Sequence, residues 1–237
     1  MEVPETVRSA IADRPVDGRV CLEAGAGAGN MSGALLEAGA DTVYAVTRDP
    51  AHAEDVRERF AGEERLTVIE ADLREKPLPD DSVDVITAHA LFNVVVPSAA
   101  AEIIADLTRM ATPGAHLVVD DYERLPTSSA IREVFAAENA ATELTHSRPV
   151  LTEYSSELIR RLCGGYGWTH DRTKNILAPV PWHADLVDAH VDIVAETAEE
   201  LPESLREGLV NAAERAAAEA RGESVGEMYS VALRLPE

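Results

Sequence analysis

The sequence predicts a doubly wound α/β fold built on a mostly parallel sheet of seven strands. Hydrophobic runs alternate with segments of helical period along most of the chain, a succession typical of such folds. A turn rich in glycine separates the first predicted strand from the first predicted helix. The 237 residues, of which 46% are hydrophobic, suffice for a sizeable buried core. We therefore expect a single domain over 1–237.

Strands and helices alternate in the first half of the chain. Gly39 follows the first helix as a C-terminal cap, and Pro50 stands near the start of the second helix. Thr112, Pro113 and Gly114 are expected to end the third helix. The predicted strands are 19–24, 42–46, 66–71, 82–87 and 115–121, and the predicted helices are 30–38, 50–60 and 97–110.

After Asp121 the pattern changes to longer helical segments. The last of these segments is broken near Pro202 and precedes the final strand, so we expect a C-terminal helical insertion in the sheet fold. The predicted helical segments are 127–146, 155–163 and 182–220, and the predicted strands are 168–177 and 228–235.

The end of the first predicted strand carries an acid followed by three glycines at alternate positions, namely Glu23, Gly25, Gly27 and Gly29. Positions without a side chain let a ligand approach the backbone closely, and the start of the helix offers unpaired N–H groups to an anion. The G-x-G-x-x-G spacing of dinucleotide-binding proteins is not met, because its third glycine would fall on Asn30 or Ser32. The spacing therefore argues against an NAD-dependent oxidoreductase.

This E-x-G-x-G-x-G run resembles motif I of the class I S-adenosylmethionine-dependent methyltransferases, and the strand pattern over 16–121 agrees with that family. The resemblance implies S-adenosylmethionine as cofactor, with Glu23 near its methionine amino group and the three glycines along it. It also implies that 16–121 form the cofactor-binding core, while 122–237 supply helices on the substrate side and the last strands. A turn of small residues in an alanine-rich α/β protein is the alternative interpretation.

The residues after the second and third predicted strands are expected to contact the ribose and the adenine of the cofactor. Members of the family usually carry an acid that binds both ribose hydroxyls, but that position holds Thr47 here. Asp49 could reach back to the ribose, could cap the helix that starts at Pro50, or could do both. By the same resemblance Asp72 binds the adenine amino group and Leu73 packs on the ring; a solvated acid in a loop is the alternative for Asp72.

The residues after the fourth strand are expected to face cofactor and substrate, since ligands in such folds bind beyond the carboxyl ends of the strands. Ala88 is assigned to the cofactor. His89 is either a general base for an acidic proton or a neutral wall residue without a visible partner. Asp120 and Asp121 at the end of the fifth strand, with Tyr122, could orient a substrate or cap the next helix. The Asn/Asp-Pro-Pro-Tyr/Phe motif of methyltransferases that act on bases and amides is absent.

The formal net charge of −22 arises from 43 acidic and 21 basic residues. Acid spread along the whole chain, with few lysines, resembles the composition of proteins from salt-in halophilic archaea, in which salt screens the repulsion between like charges. Such acidity disfavours nucleic acid as a partner at ordinary salt, an argument that weakens in a halophile, where acidity is a general property of the proteins. Cys21 and Cys163 lack zinc-ligand spacing, so no metal is expected. No apolar run approaches the roughly 18 residues of a membrane span, and no signal-peptide pattern is present, so we expect a cytoplasmic protein.

Together these observations predict transfer of a methyl group from S-adenosylmethionine to a small-molecule acceptor. A cofactor-binding regulatory protein of the same fold without transferase activity is the alternative, which Thr47 in the ribose position favours.

Overall fold

A computed structural model describes residues 3–237, whose strands form one sheet of seven. The strands are β1 (Val20–Ala24), β2 (Thr42–Thr47), β3 (Leu66–Glu70), β4 (Val83–His89), β5 (Ala111–Tyr122), β6 (Thr169–Leu177) and β7 (Met228–Arg234). Their order across the sheet is β3-β2-β1-β4-β5-β7-β6, and β7 runs antiparallel to both of its neighbours. The predicted doubly wound α/β fold with a mostly parallel sheet is confirmed.

Helices pack on both faces of this sheet. They are α1 (Glu5–Ile11), α2 (Asn30–Glu37), α3 (Pro50–Arg59), α4 (Pro97–Met110), α5 (Ala130–His146), α6 (Ser156–Gly164), α7 (Ala184–Ala198) and α8 (Glu203–Ala220). Short 3-10 turns occupy 73–75 and 92–94. Within residues 3–237 no helix is both long and apolar enough to cross a membrane.

The central strands are buried on both faces, as the continuous apolar runs predict. Successive side chains of a strand point to opposite faces. Leu22 and Ile86 therefore join the core cluster that also contains residues of α4 and α6. Cys21 and Val85 join the opposite cluster, beneath α1 and α2.

The order of the strands creates a crevice at one edge of the sheet. From β1 the chain continues outward to β2 and β3, and then returns to place β4 on the other side of β1. Cys21 consequently pairs with Val43 on one side and with Val85 on the other. In open α/β sheets the ligand site lies at such a reversal, beyond the carboxyl ends of the strands. Glu23 and His89 lie at the ends of the two strands that flank this reversal.

The predicted helical insertion before the last strand is present as α7 and α8, and α5 packs against both. Trp182, whose side chain is buried, lies between the rings of Tyr122 and Phe135, with 5.5 Å between ring centroids in each pair. His190 on α7 and Glu138 on α5 form a hydrogen bond with an Nδ1–Oε2 distance of 2.6 Å. These contacts join the three helices into one unit at the end of β5.

Two predicted boundaries are wrong, namely the start of β5 and the end of β4. The segment Thr112-Pro113-Gly114 does not form a turn after α4, because β5 begins at Ala111 and pairs with Val83. Strand β4 continues beyond the expected end at 87, because His89 still pairs with Asp120 of β5. Pairing between strands distant in sequence sets both boundaries, and it places His89 within the strand.

Helix α1 was not predicted, because it is short and its stability depends on contacts made elsewhere in the chain. Asp13, just after α1, forms ion pairs with Arg14 and with Arg172 of β6. These guanidinium groups, chiefly Arg172, hold the pKa of Asp13 well below its usual range although partial burial opposes them. Arg172 also donates to the backbone carbonyl of Ser230, with an Nη1–O distance of 2.8 Å.

Candidate active site

A cavity of about 680 Å³ opens at the reversal between β1 and β4. The loops after β1, β2, β3 and β4 contribute to its wall, together with α4 and the linker between α5 and α6. All but two of the residues that the sequence assigned to the site line this cavity. Those that line it are Glu23, Gly25, Gly27, Thr47, Asp49, Asp72, Leu73 and His89.

The glycine turn after β1 leaves room for a ligand at one position in particular. Gly27 has a φ of +48°, and a Cβ there would point into open space, with Gly25 O the nearest atom at 4.0 Å. A Cβ on Gly25 would instead lie 2.7 Å from Leu91 Cδ1. Gly27 is therefore the glycine whose missing side chain keeps part of the cavity open.

The two remaining predicted residues lie outside the cavity lining. Gly29 has a φ of +72°, and a Cβ there would lie 2.9 Å from Phe60 Cε2 and 3.2 Å from Val56 Cγ2. Its missing side chain thus allows α2 to approach α3 closely. Ala88 is fully buried in the core. Successive side chains of a strand point to opposite faces of the sheet, so His89 faces the cavity while Ala88 points into the core cluster.

Glu23 connects the end of β1 to the start of α2. Its buried carboxylate accepts hydrogen bonds from Met31 N at 3.2 Å, from Ser32 N at 2.8 Å and from Ser32 Oγ. The two N–H donors belong to the backbone groups that a helix leaves unpaired in its first turn. Burial raises the pKa of Glu23 to about 7, although the hydrogen bonds from Ser32 oppose the rise. The carboxylate thereby fixes the two ends of the glycine turn.

The acid near the end of β2 caps the following helix, which confirms one of its two predicted roles. Asp49 Oδ1 accepts from Ala51 N at 2.9 Å and from His52 N at 3.4 Å. Thr47 Oγ1 accepts from Asp49 N at 3.2 Å. Asp49 also lines the cavity and its side chain is half exposed, so binding of ribose hydroxyls stays a prediction compatible with this position.

Asp72 after β3 is held by its neighbour Arg74. Its carboxylate accepts from Arg74 Nε at 2.9 Å, from Arg74 Nη2 at 2.7 Å and from Arg74 N at 2.9 Å. The hydrogen bonds to the guanidinium lower the pKa of Asp72 to about 2, against a smaller opposing effect of burial. Asp72 is therefore ionised at neutral pH and fixed at the cavity wall beside the nearly buried Leu73.

The structure gives His89 a hydrogen-bonding partner that the sequence did not indicate. Its Nδ1 lies within hydrogen-bonding distance of Asp120 Oδ2, across the β4–β5 pairing. The Asp120 side chain is fully buried, whereas 21% of the His89 side chain is exposed, and His89 lines the cavity. With Nδ1 bonded to the buried carboxylate, Nε2 is the ring nitrogen available to a ligand. Both residues lie near the carboxyl ends of adjacent parallel strands. This shared position is the sequence feature from which their contact could have been predicted.

Carboxylates around His89 set its proton affinity. Burial by itself lowers the pKa of His89, but the hydrogen bond and charge of Asp120, with the charges of Glu23 and Asp121, outweigh it, so the pKa is raised. Asp121 accepts from Asn93 N and Tyr122 N, each at 2.8 Å, and burial raises its pKa to about 7. Asp121 thus holds the 3-10 turn after β4, and Asp120 alone contacts His89.

Several residues of the cavity were not predicted from the sequence. Val94, Val95 and Ile103 extend the apolar wall beyond Leu91, which lies in the segment 88–93 that was expected to face the ligands, and Arg148 enters from the linker between α5 and α6. Arg148 lies far along the chain from every motif at a strand end. The local sequence around it carries no signal for a ligand site, so only the three-dimensional fold reveals its position.

Known proteins resemble this chain in sequence and in fold. Residues 22–119 match the family of methyltransferase domains, from β1 to β5, which confirms the predicted class of domain for that part of the chain. A demethylmenaquinone methyltransferase from Clavibacter sepedonicus is 31% identical over 151 residues, which cover 62% of this chain and 60% of that protein. An uncharacterized methyltransferase from Geobacillus thermodenitrificans is 29% identical over 117 residues, or 49% of this chain and 52% of that protein. The chain thus spans half to three fifths of the length of these relatives.

Solved structures extend the likeness to the whole fold. A protein from Bacillus halodurans C-125 superposes with a TM-score of 0.67 at 14% identity, over 98% of this chain and 99% of that one. The 1,6-didemethyltoxoflavin-N1-methyltransferase of Burkholderia thailandensis, solved with 1,6-didemethyltoxoflavin and S-adenosylhomocysteine, gives a TM-score of 0.59 at 14% identity. That superposition covers 98% of this chain and 79% of the other. At this identity the likeness establishes the fold.

The contact between His89 and Asp120 predicts a change that can be measured without any ligand. Asp120→Asn removes the charge that contributes most to the raised pKa of His89, so the pKa of His89 should fall. Titration of the labelled imidazole by NMR measures this shift. His170, an exposed residue of β6, serves as the internal control and should titrate unchanged. An unaltered His89 titration in the folded variant would show that Asp120 does not control its protonation.

Proposed function

We propose that this chain transfers a methyl group from S-adenosylmethionine to a small-molecule acceptor, with His89 as general base. The contact between His89 and the buried carboxylate of Asp120 carries the proposal. A histidine oriented by a carboxylate at the edge of a ligand cavity is a recurring arrangement for proton removal. The match of residues 22–119 to methyltransferase domains supports methyl transfer as the reaction.

The residues at the cavity fit this cofactor. Gly27 lacks the side chain that would enter the cavity, and the Glu23 carboxylate reaches it from the end of β1. Asp49 and Asp72 present carboxylates to the same cavity, and Leu73 presents an apolar surface. From these positions Glu23 would bind the amino group of the methionine portion, and Asp49 would bind the ribose. Asp72 would bind the adenine amino group, and Leu73 would pack on the adenine ring. Burkholderia thailandensis 1,6-didemethyltoxoflavin-N1-methyltransferase, which shares the fold, was solved with S-adenosylhomocysteine.

When bound, S-adenosylmethionine supplies a methyl group already activated by its sulfonium. The chain therefore has to align the acceptor and, where the nucleophilic atom carries a proton, to accept that proton. His89 Nε2 accepts the proton while Asp120 holds the ring and stabilises the imidazolium. This assignment favours an acceptor with a protonated O, N, S or C nucleophile.

The size and lining of the cavity support a small acceptor. Ligand sites commonly have volumes of roughly 300–1,000 Å³, and this cavity of about 680 Å³ falls within that range. The apolar wall formed by Leu91, Val94 and Val95 would contact the acceptor. The net charge of −22 disfavours nucleic acid at ordinary salt concentrations.

The alternative is a regulatory protein that binds the cofactor without transferring its methyl group. Thr47 in place of the usual ribose-binding acid favours this alternative, whereas the pairing of His89 with Asp120 favours an enzyme. Incubation with methyl-labelled S-adenosylmethionine and the small-molecule fraction of a cell extract separates the two. A labelled small product supports the enzyme, and binding of the cofactor without any labelled product supports the alternative.

Gly27→Val should abolish binding of S-adenosylhomocysteine measured by calorimetry. The branched side chain would occupy cavity space and would strain a backbone with positive φ. Gly62→Val is a matched control, since Gly62 also has a positive φ and open space around its Cβ but lies outside the cavity lining. Equal affinity of wild type and a folded Gly27→Val protein would contradict the assignment of this turn to the cofactor.

His89→Gln should lower the maximal rate by about a hundredfold or more, the usual contribution of a general base. Affinity for S-adenosylhomocysteine should hardly change, because the assigned role is toward the acceptor. The base form of His89 exists above its pKa, which is raised, so the wild-type rate should increase with pH through a value above that of an ordinary histidine. Single-turnover transfer to the acceptor identified by labelling measures rate and pH profile. A variant with the full rate and an unchanged profile would remove His89 from the reaction.

We also infer that the protein works at high salt, as its acidity suggests. Like charges spread over the surface repel one another, and the screening length falls from about 30 Å at 0.01 M to about 3 Å at 1 M. The melting temperature should therefore rise as KCl increases toward molar concentration. Sucrose at matched water activity is the control for solvent exclusion. A melting temperature that stays flat or falls with KCl would contradict this inference.

A further inference from the structure

We propose that the acceptor carries a negatively charged group and that Arg148 binds this group at the cavity. The proposal rests on the function proposed above and narrows its substrate class. It depends on how the linker between α5 and α6 is fixed, on the availability of the Arg148 side chain at the cavity, and on the apolar wall formed next to this linker.

The linker that carries Arg148 is held to α5 by the partly buried side-chain amide of Asn139. Asn139 Oδ1 accepts from Val150 N at 3.0 Å and from Leu151 N at 2.8 Å, while its Nδ2 donates to Leu151 O at 3.0 Å. The helix ends with Ser147 in the left-handed region, at a φ of +58°. The backbone on both sides of Arg148 is thus fixed.

The same linker is joined to the cavity wall. Thr152 N donates to Asn93 O at 2.6 Å, and Thr152 Oγ1 lies 2.7 Å from Phe92 O and 3.0 Å from Val95 O. Asp121 fixes the turn that accepts these bonds, because its carboxylate accepts a hydrogen bond from Asn93 N. A continuous set of hydrogen bonds therefore connects the end of β5, the wall after β4 and the linker that places Arg148 at the cavity.

The three arginines of the cavity differ in their partners and in their positions. Arg74 is paired with Asp72 and lies 3.5 Å from Glu102 Oε2. Arg48, exposed after β2, makes no hydrogen bond or ion pair with another side chain in the described part of the chain, and its charge acts on Asp72, which is assigned to the cofactor. The guanidinium of Arg148 is exposed at the cavity and has no hydrogen bond or ion pair with another side chain within residues 3–237. Arg148 is therefore available to an anion brought by a ligand.

The wall next to this linker is apolar, formed by Leu91, Val94 and Val95. A guanidinium beside an apolar surface suits a molecule with an apolar body and a carboxylate or similar planar anion, which arginine binds through two parallel hydrogen bonds. We therefore assign the acceptor to the apolar carboxylates and related organic anions.

The experiment compares two fluorescent probes that differ in one charged group. Anilinonaphthalenesulfonate carries a sulfonate on an apolar ring system, and N-phenylnaphthylamine is its uncharged counterpart. Binding is measured with saturating S-adenosylhomocysteine, at the lowest KCl concentration that preserves the fold. Arg148→Gln should weaken binding of the sulfonate at least about threefold, within the range of exposed ion pairs, and leave the uncharged probe unchanged. Arg148→Lys should restore part of the affinity, since it keeps the charge but loses the planar group.

Two control variants locate the effect. Arg160→Gln removes the same charge from an exposed arginine of α6 outside the cavity lining and should leave both probes unchanged. Arg48→Gln tests the second cavity arginine that has no ion pair with another side chain within residues 3–237. Equal sulfonate binding by wild type and Arg148→Gln would overturn the proposal, as would a loss confined to Arg48→Gln or a wild type without preference for the sulfonate.

Binding of S-adenosylhomocysteine distinguishes this proposal from the one on which it rests. A wild-type protein that does not bind S-adenosylhomocysteine would contradict the proposed function. A loss of that binding in Arg148→Gln alone would show that Arg148 serves the carboxylate of the cofactor, and would overturn the present proposal while leaving the function intact. The labelled product of the extract experiment should be retained by an anion-exchange resin at neutral pH; an unretained product would also overturn the proposal.

Discussion

The parallel pairing of β1 with β4 is the constraint on which the site depends. Because β2 and β3 lie on one side of β1 and β4 on the other, their following loops diverge and leave the crevice open. The same pairing brings the ends of the two strands close enough for Glu23 and His89 to interact electrostatically. Backbone hydrogen bonds between the two strands thereby place Glu23, which fixes the glycine turn, close to His89, which is assigned to proton transfer.

The sequence predicted best those features that depend on neighbours along the chain. Glu23 and the alternate glycines predicted a strand, a tight turn and a helix, and the structure has these elements in this order. Asp49 was expected to cap a helix, and it does so. Gly29 shows the limit of such motif arguments, because its missing side chain accommodates Phe60 of a neighbouring segment and lies outside the cavity lining.

Features that depend on residues distant in sequence were not predictable in this way. His89 and Asp120 are 31 positions apart, and only the register of β4 with β5 brings them into contact. Arg148 reaches the cavity because Asn139 and Thr152 fix a linker that has no regular structure of its own. Helix α1 depends on ion pairs between the segment after it and β6. In each case a tertiary contact, rather than local propensity, determines the position.

The charges around the partly buried His89 are consistent with its proposed role as a base in so acidic a protein. Ionised carboxylates stabilise the imidazolium, which would hold its proton too firmly if all of them were fully charged. Burial raises the pKa of Glu23 and of Asp121 to about 7, so each is only partly ionised near neutral pH. Asp120 then remains as the carboxylate in direct contact with the ring. A cation bound in the cavity would repel the imidazolium and so further favour the neutral imidazole, which is the form that accepts a proton. Binding of a sulfonium compound and the protonation state of His89 would therefore be coupled electrostatically.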